Sequence, residues 1–148
     1  MPRVPRSALP DGYFHVFSRS VAETPLYRDD ADRGRFVGYL RACERAHRWT
    51  CHAFCLMTTH YHLVVESNCG ALSRGLQALN GRYARSFNRR HGRFGHLFAE
   101  RFSARAIGDD EYLVEACAYV LQNPVKAGLC DRTEEWPWSF SSFGLDAT

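Results

Sequence analysis

Two apolar runs, residues 49–57 (WTCHAFCLM) and residues 61–66 (YHLVVE), are separated by only Thr58, Thr59 and His60. Both are rich in aromatic and branched residues, and so short a link joins two strands only as an antiparallel hairpin. A lone hairpin is not stable in water, so other strands must extend its edges and amphipathic helices must cover it. Residues 13–17 (YFHVF) read as a first strand, and residues 98–107 (FAERFSARAI) alternate like a fourth. Residues 30–47 instead repeat Phe36, Val37, Leu40, Cys43 and Ala46 at helical spacing, with Asp30 or Asp32 to cap the start. A second helix spans residues 72–90, with Leu72, Leu76, Leu79, Tyr83 and Phe87 on one face, and residues 92–95 break it. Asp109 and Asp110 open a third helix whose apolar run reaches Leu121. Pro124 disfavours a helical conformation at Asn123 and is expected to end that helix there. The order strand, helix, strand, strand, helix, strand, helix predicts an α+β sandwich with a mostly antiparallel sheet of four to five strands. A single domain is expected over residues 1–148, closed by an irregular aromatic tail at residues 131–148 that contains WPWSFSSF.

Charge is where the composition departs from the ordinary. The net charge of +3 is carried almost wholly by arginine, since Lys126 is the one lysine. Planar guanidinium groups match phosphate oxygens and stack on bases, which leans toward a nucleic-acid partner. No stretch approaches the length of a membrane span, and the first residues (MPRVPRSALPDG) lack a signal-peptide core, so a cytoplasmic location is expected. The six cysteines should then be reduced. Cys51 and Cys55, four apart on one strand, would sit roughly 13 Å from each other, too far to share a zinc ion. Buried free thiols are the expectation for all six.

Within the hairpin, His60 and His62 must share a face of the sheet while Tyr61 points to the other. Such a pair can hold one divalent metal from a rigid base, or can be two unrelated surface residues. On the last helix, Tyr119 and Asn123 are four apart and share a face with Tyr112 and Ala116, beside a core stripe of Leu113, Cys117 and Val120. Arg82, Arg85, Arg89, Arg90 and Arg93 form a basic run, joined by Arg101 and Arg105 on the fourth strand, and no acid falls between Gly81 and Ala99. A solvated helix face would look the same, but the missing acids favour a nucleic-acid surface. Interleaved Tyr, Phe and His rings could stack on unpaired bases. Tyr83 is the main rival to Tyr119 as a reactive phenol, yet it lies on the apolar stripe of its helix.

The segment His60-Tyr61-His62, followed by Tyr119-Val-Leu-Gln-Asn123-Pro124-Val125-Lys126-Ala127-Gly128, resembles the single-tyrosine HUH transposases. Within them it is most similar to the REP-associated tyrosine transposases, and GHLFAERF and WPWSFSSF also sit where that subgroup places similar segments. The resemblance implies a ferredoxin-like HUH sandwich. It further implies that His60, His62 and Asn123 bind Mg²⁺ or Mn²⁺ and that Tyr119 attacks a phosphate of single-stranded DNA. The product would be a 5′-phosphotyrosine and a free 3′-hydroxyl. Imidazole ligands suit manganese at least as well as magnesium. The partner implied is single-stranded or hairpin DNA, with no membrane and no small-molecule substrate, bound by a monomer or homodimer. One departure stands out: Ser18-Arg19-Ser20-Val21 replaces the Arg-Gly-Asn turn common after the first strand, leaving Arg19 as a candidate DNA contact with altered target reading. A binding module with the same fold that regulates without cutting is the alternative.

Overall fold

Tyr61 is fully buried, and its hydroxyl donates to Oδ1 of Asn80 at 2.6 Å while Asn80 Nδ2 donates to Ser18 Oγ at 3.2 Å. This anchor fixes the alternation of β3 (His60–Ser67) in the computed structural model, which describes residues 12–67 and 71–144. A slip of one residue would drive the histidines into the core and Tyr61 out of it. The other elements are β1 (Gly12–Arg19), α1 (Asp30–His47), β2 (Trp49–Leu56), α2 (Leu72–His91), β4 (Ser103–Ile107), α3 (Asp110–Lys126) and β5 (Ser139–Ser141). The strands form one sheet in the order β4-β1-β3-β2-β5, and every pairing is antiparallel. The fold is therefore the α+β sandwich expected from the sequence. No helix among the described residues is long and apolar enough to cross a membrane.

The two faces of the sheet are covered unequally. Phe14, Val16, Leu63 and Val65 meet Phe36 and Leu40 of α1 and Leu76, Leu79, Tyr83 and Phe87 of α2 in the main core. On the opposite face Ala53, Cys55 and Val64 meet Leu113, Cys117 and Val120 of α3, with Trp136 packed beside them. One helix cannot roof a five-stranded sheet, so the His60 end of β3 and the adjoining part of β1 stay partly open on that side.

Several expectations are corrected. The cap of α1 is Asp29, whose side chain accepts from the Asp32 N–H at 3.0 Å, whereas Asp32 is buried. The fourth strand starts at Ser103, not at residue 98: Phe98 makes only an isolated bridge to Ser20, and the chain bends at residues 99–100 before it joins β1. A register shift between Cys51 and Ala53 sends Cys51 to the main core and Cys55 to the α3 side, so these thiols face away from each other. Cys43, Cys51, Cys55 and Cys117 are buried free thiols and Cys130 is half-buried, while Cys69 lies outside the described residues. The closing segment is not wholly irregular. Ser139–Ser141 pairs with β2, Phe140 stacks on Phe54 at 5.6 Å, and the Trp136 indole donates to the Leu56 carbonyl at 3.0 Å. The N-terminal lead-in before Gly12 and residues 145–148 lie outside the described residues.

Candidate nuclease site

In the β1–β3 register, Phe17 pairs with His62, Arg19 with His60 and His15 with Val64. Directly paired residues share a face, so His15, Phe17, His60 and His62 lie together on the open side. The His60 and His62 rings are 5.2 Å apart, edge to face, and Phe17 packs 5.4 Å from His60 and 5.2 Å from His62. His15 Nε2 and His62 Nδ1 share a hydrogen bond of 3.0 Å, and their rings stack at 5.2 Å. His15 was missed by sequence reasoning. The alternation of residues 13–17 puts it on the outward face, but only the register of β1 on β3 puts it beside His62.

Burial disfavours charge on all three imidazoles. The His62 pKa is pushed down to about 3, first by burial and then by the neighbouring His15 and His60. His60 is lowered by burial, and His15 by burial and then by Arg105. Neutral rings offer lone pairs, which is the state a metal requires.

Tyr119 stands on α3, 46% exposed, with its ring 5.9 Å from His15 and edge-on to it. The Lys126 ammonium lies 4.3 Å from the Tyr119 ring centroid. Tyr119, His15, Arg105, Tyr112 and Glu115 line an open cleft of about 440 Å³ between β4 and α3. The rival Tyr83 is 1% exposed, and its hydroxyl donates to the Leu26 carbonyl inside the core.

Asn123 does not end its helix. α3 continues through Pro124 to Lys126, because the Asn123 amide donates to the Val120 carbonyl at 3.1 Å and replaces the N–H that Pro124 lacks. With Nδ2 committed inward, Oδ1 is the atom left for a cation.

The arginines separate into two groups. Arg90 donates to Asp29 at 2.6 and 2.7 Å and to Asp32 at 2.7 Å, so its charge is spent within the fold. Arg93 braces its own loop, donating to Asn88 Oδ1 at 3.1 Å and to the His96 carbonyl at 2.9 Å. Arg82, Arg85, Arg89 and Arg101 are exposed. Arg82 lies 4.5 Å over the Tyr39 ring, and Arg101 lines a groove with Gln77, Asn80, His96 and Phe98. Arg19 is exposed and pairs with exposed Glu100 at 3.1 Å, a contact of little energetic weight. Arg105 reaches the Tyr119 cleft itself. Phe94, at the tip of the braced loop, is 93% exposed.

The fold is shared with two solved proteins. It superposes with a TM-score of 0.77 on a REP-associated tyrosine transposase solved bound to a REP hairpin, covering 94% of this chain and 82% of that one at 15% identity. A second solved structure, a protein of Deinococcus radiodurans R1 provisionally named a transposase, aligns with a TM-score of 0.55 over 75% of this chain and 89% of that one, again at 15% identity. Residues 9–123 match the family of IS200-like transposases, and the chain belongs to that family. A Haemophilus influenzae protein provisionally named a REP-associated tyrosine transposase is 25% identical over 135 residues, 79% of this chain and 76% of that protein.

Proposed function

We propose that this chain is a metal-dependent enzyme that nicks and rejoins single-stranded DNA beside a REP-like hairpin, with Tyr119 as nucleophile. The observation that carries the reading is an exposed phenol on α3 resting against His15, which hydrogen-bonds in turn to His62 on the sheet face that His60 shares. The Tyr119 oxygen attacks phosphorus as the phenol gives up its proton, the bond from phosphorus to the 3′ oxygen breaks, and that oxygen takes up a proton and leaves as a free 3′-hydroxyl. The 5′ end is then held as a phosphotyrosine, which conserves the bond energy for rejoining.

Two adjacent imidazoles suit a divalent ion as partial ligands, while among the described residues no group of three or more His, Cys, Asp or Glu side chains could hold one unaided. His60 and His62 would supply two ligands and Asn123 Oδ1 a third, with the scissile phosphate and water filling the rest. A bound Mn²⁺ or Mg²⁺ would withdraw charge from the phosphate oxygens. Arg105, on the wall of the Tyr119 cleft, is placed to meet the DNA backbone beside the phenol, while exposed Arg82, Arg85 and Arg89 on α2, with Arg101 across the groove lined by Gln77 and Asn80, offer a separate basic surface on the α2 side. A solved relative is bound to a REP hairpin, which supports hairpin DNA as the substrate class.

The test is incubation of end-labelled hairpin DNA carrying single-stranded flanks with the protein and Mn²⁺. A covalent protein–DNA band is expected from the wild type and none from Tyr119→Phe, which should still bind the hairpin. Binding without a band across hairpins drawn from the surrounding genome would make the chain a non-cutting regulator.

A further inference from the structure

His15 is the residue that ties the two halves of the site together. Its Nε2 meets His62 Nδ1 at 3.0 Å, its ring stacks on His62, and the Tyr119 ring rests edge-on against it at 5.9 Å. A 3.0 Å contact between two ring nitrogens is a hydrogen bond with one proton in it, so one ring donates and the other accepts. A neutral imidazole carries its proton on one nitrogen only. If His15 Nε2 donated, His62 would accept at Nδ1, carry its own proton on Nε2, and have no lone pair left for a metal. If His62 Nδ1 donates, its Nε2 is bare and His15 carries its proton on Nδ1. The hydrogen bond therefore decides whether His62 can serve as a ligand.

We propose that His15 is a positioning residue that accepts from His62 Nδ1–H, so that His62 Nε2 faces the metal, and that seats the Tyr119 ring above it. The metal half of this inference rests on the reading given under Proposed function; the tautomer half does not. His15 takes the place that a carboxylate or a backbone carbonyl usually fills behind a metal-bound histidine, where the loss of such a partner costs roughly 10- to 100-fold in metal affinity. An uncharged acceptor is the natural choice here, because Arg105 is paired with His15 on β4 and a carboxylate on β1 would be drawn into that ion pair instead.

The experiment has two arms. Long-range ¹H–¹⁵N correlation spectra of the metal-free wild type read the His62 tautomer directly, with His62→Gln supplying the assignment. An Nδ1–H ring is expected, and an Nε2–H ring overturns the proposal. In the second arm Mn²⁺ alone is titrated into wild type, His15→Leu and His15→Gln by calorimetry, without DNA. His15→Leu is expected to bind at least about 10-fold more weakly, and His15→Gln, whose Oε1 can accept, to recover most of the loss. Equal affinity in His15→Leu and wild type overturns the proposal. A wild type that binds no Mn²⁺ refutes the metal reading, while the tautomer arm still decides the role of His15.

Discussion

The Asn123 amide and the Val120 carbonyl form a 3.1 Å hydrogen bond that stands in for the backbone bond erased by Pro124. The chain can thus place a proline inside the last turn of α3 and keep Tyr119 and Asn123 on one regular helix. The same bond fixes which side of the amide faces outward.

This relationship makes Asn123→Ala conditional on its neighbour. Alone, the change leaves the Val120 carbonyl without a donor and should cost about 1 kcal/mol. In a Pro124→Ala background the restored N–H takes over, and the same change should cost close to nothing. A double-mutant cycle from urea unfolding reads the difference as a coupling energy. Equal costs in the two backgrounds would remove the proposed role of the amide in the helix.

How far the sequence discloses this protein depends on the range of the interaction concerned. Asp30–His47 is visible from its period because that is local, while its cap is Asp29, one residue before the Asp30 or Asp32 that the pattern offers. The shared face of His60 and His62 follows from a period of two and needs no partner. His15 beside His62 is set by a strand register across 47 residues, and the Arg90 pair with Asp29 closes across 61; nothing local encodes either. The Pro124 rule failed because it treats the backbone alone, and a side chain supplied the missing donor. The aromatic closing segment looked irregular because its strand exists only by pairing with β2.

Arg90 and Arg89 are neighbours in sequence with opposite expected behaviour. Arg90→Ala leaves the buried Asp32 carboxylate without its guanidinium partner and should cost about 3 kcal/mol. Hairpin affinity per folded molecule should be unchanged. Arg89→Ala removes an exposed charge and should alter stability by no more than about 0.5 kcal/mol. It should weaken hairpin binding and lower the salt dependence of the affinity by roughly one phosphate contact. Chemical unfolding and salt-titrated binding on both variants separate the roles; a weaker hairpin complex from folded Arg90→Ala would return that residue to the DNA surface.

Asp32 gives the fold an acid-sensitive joint. Burial alone would raise its pKa, but the Arg28 N–H and the Arg90 and His91 side chains outweigh burial and hold the carboxyl below its ordinary value. A group lowered on folding contributes stability above its unfolded pKa, about 3.9 for Asp, and loses it as the pH falls below that. The urea midpoint of the wild type should therefore drop steeply between about pH 5 and pH 2. Asp32→Asn, already destabilised at neutral pH, should show a shallower fall, with Asp29 supplying much of what remains. Parallel curves for the two proteins would place the acid sensitivity elsewhere.

Two glycines on α2 should respond oppositely to the same substitution. Gly75 lies against the indole of Trp49, which is 2% exposed and whose Nε1 has no hydrogen-bond partner among the described residues. A Cβ at Gly75 would overlap Nε1 and come within 3.0 Å of Cε2 and 3.1 Å of Cζ2. Alanine favours a helix over glycine by about 1 kcal/mol, but overpacking a rigid buried ring costs about 1–3 kcal/mol. Gly75→Ala should therefore be destabilising on balance and should push α2 away from the start of β2. At Gly81 the added Cβ meets only Arg85 Nη1, at 3.2 Å, the far end of a flexible side chain that can move aside. Gly81→Ala should stabilise the protein by about 0.5–1 kcal/mol. Urea unfolding of the two variants compares the terms directly. A stabilised Gly75→Ala would mean that the α2–β2 contact yields more readily than its close packing implies.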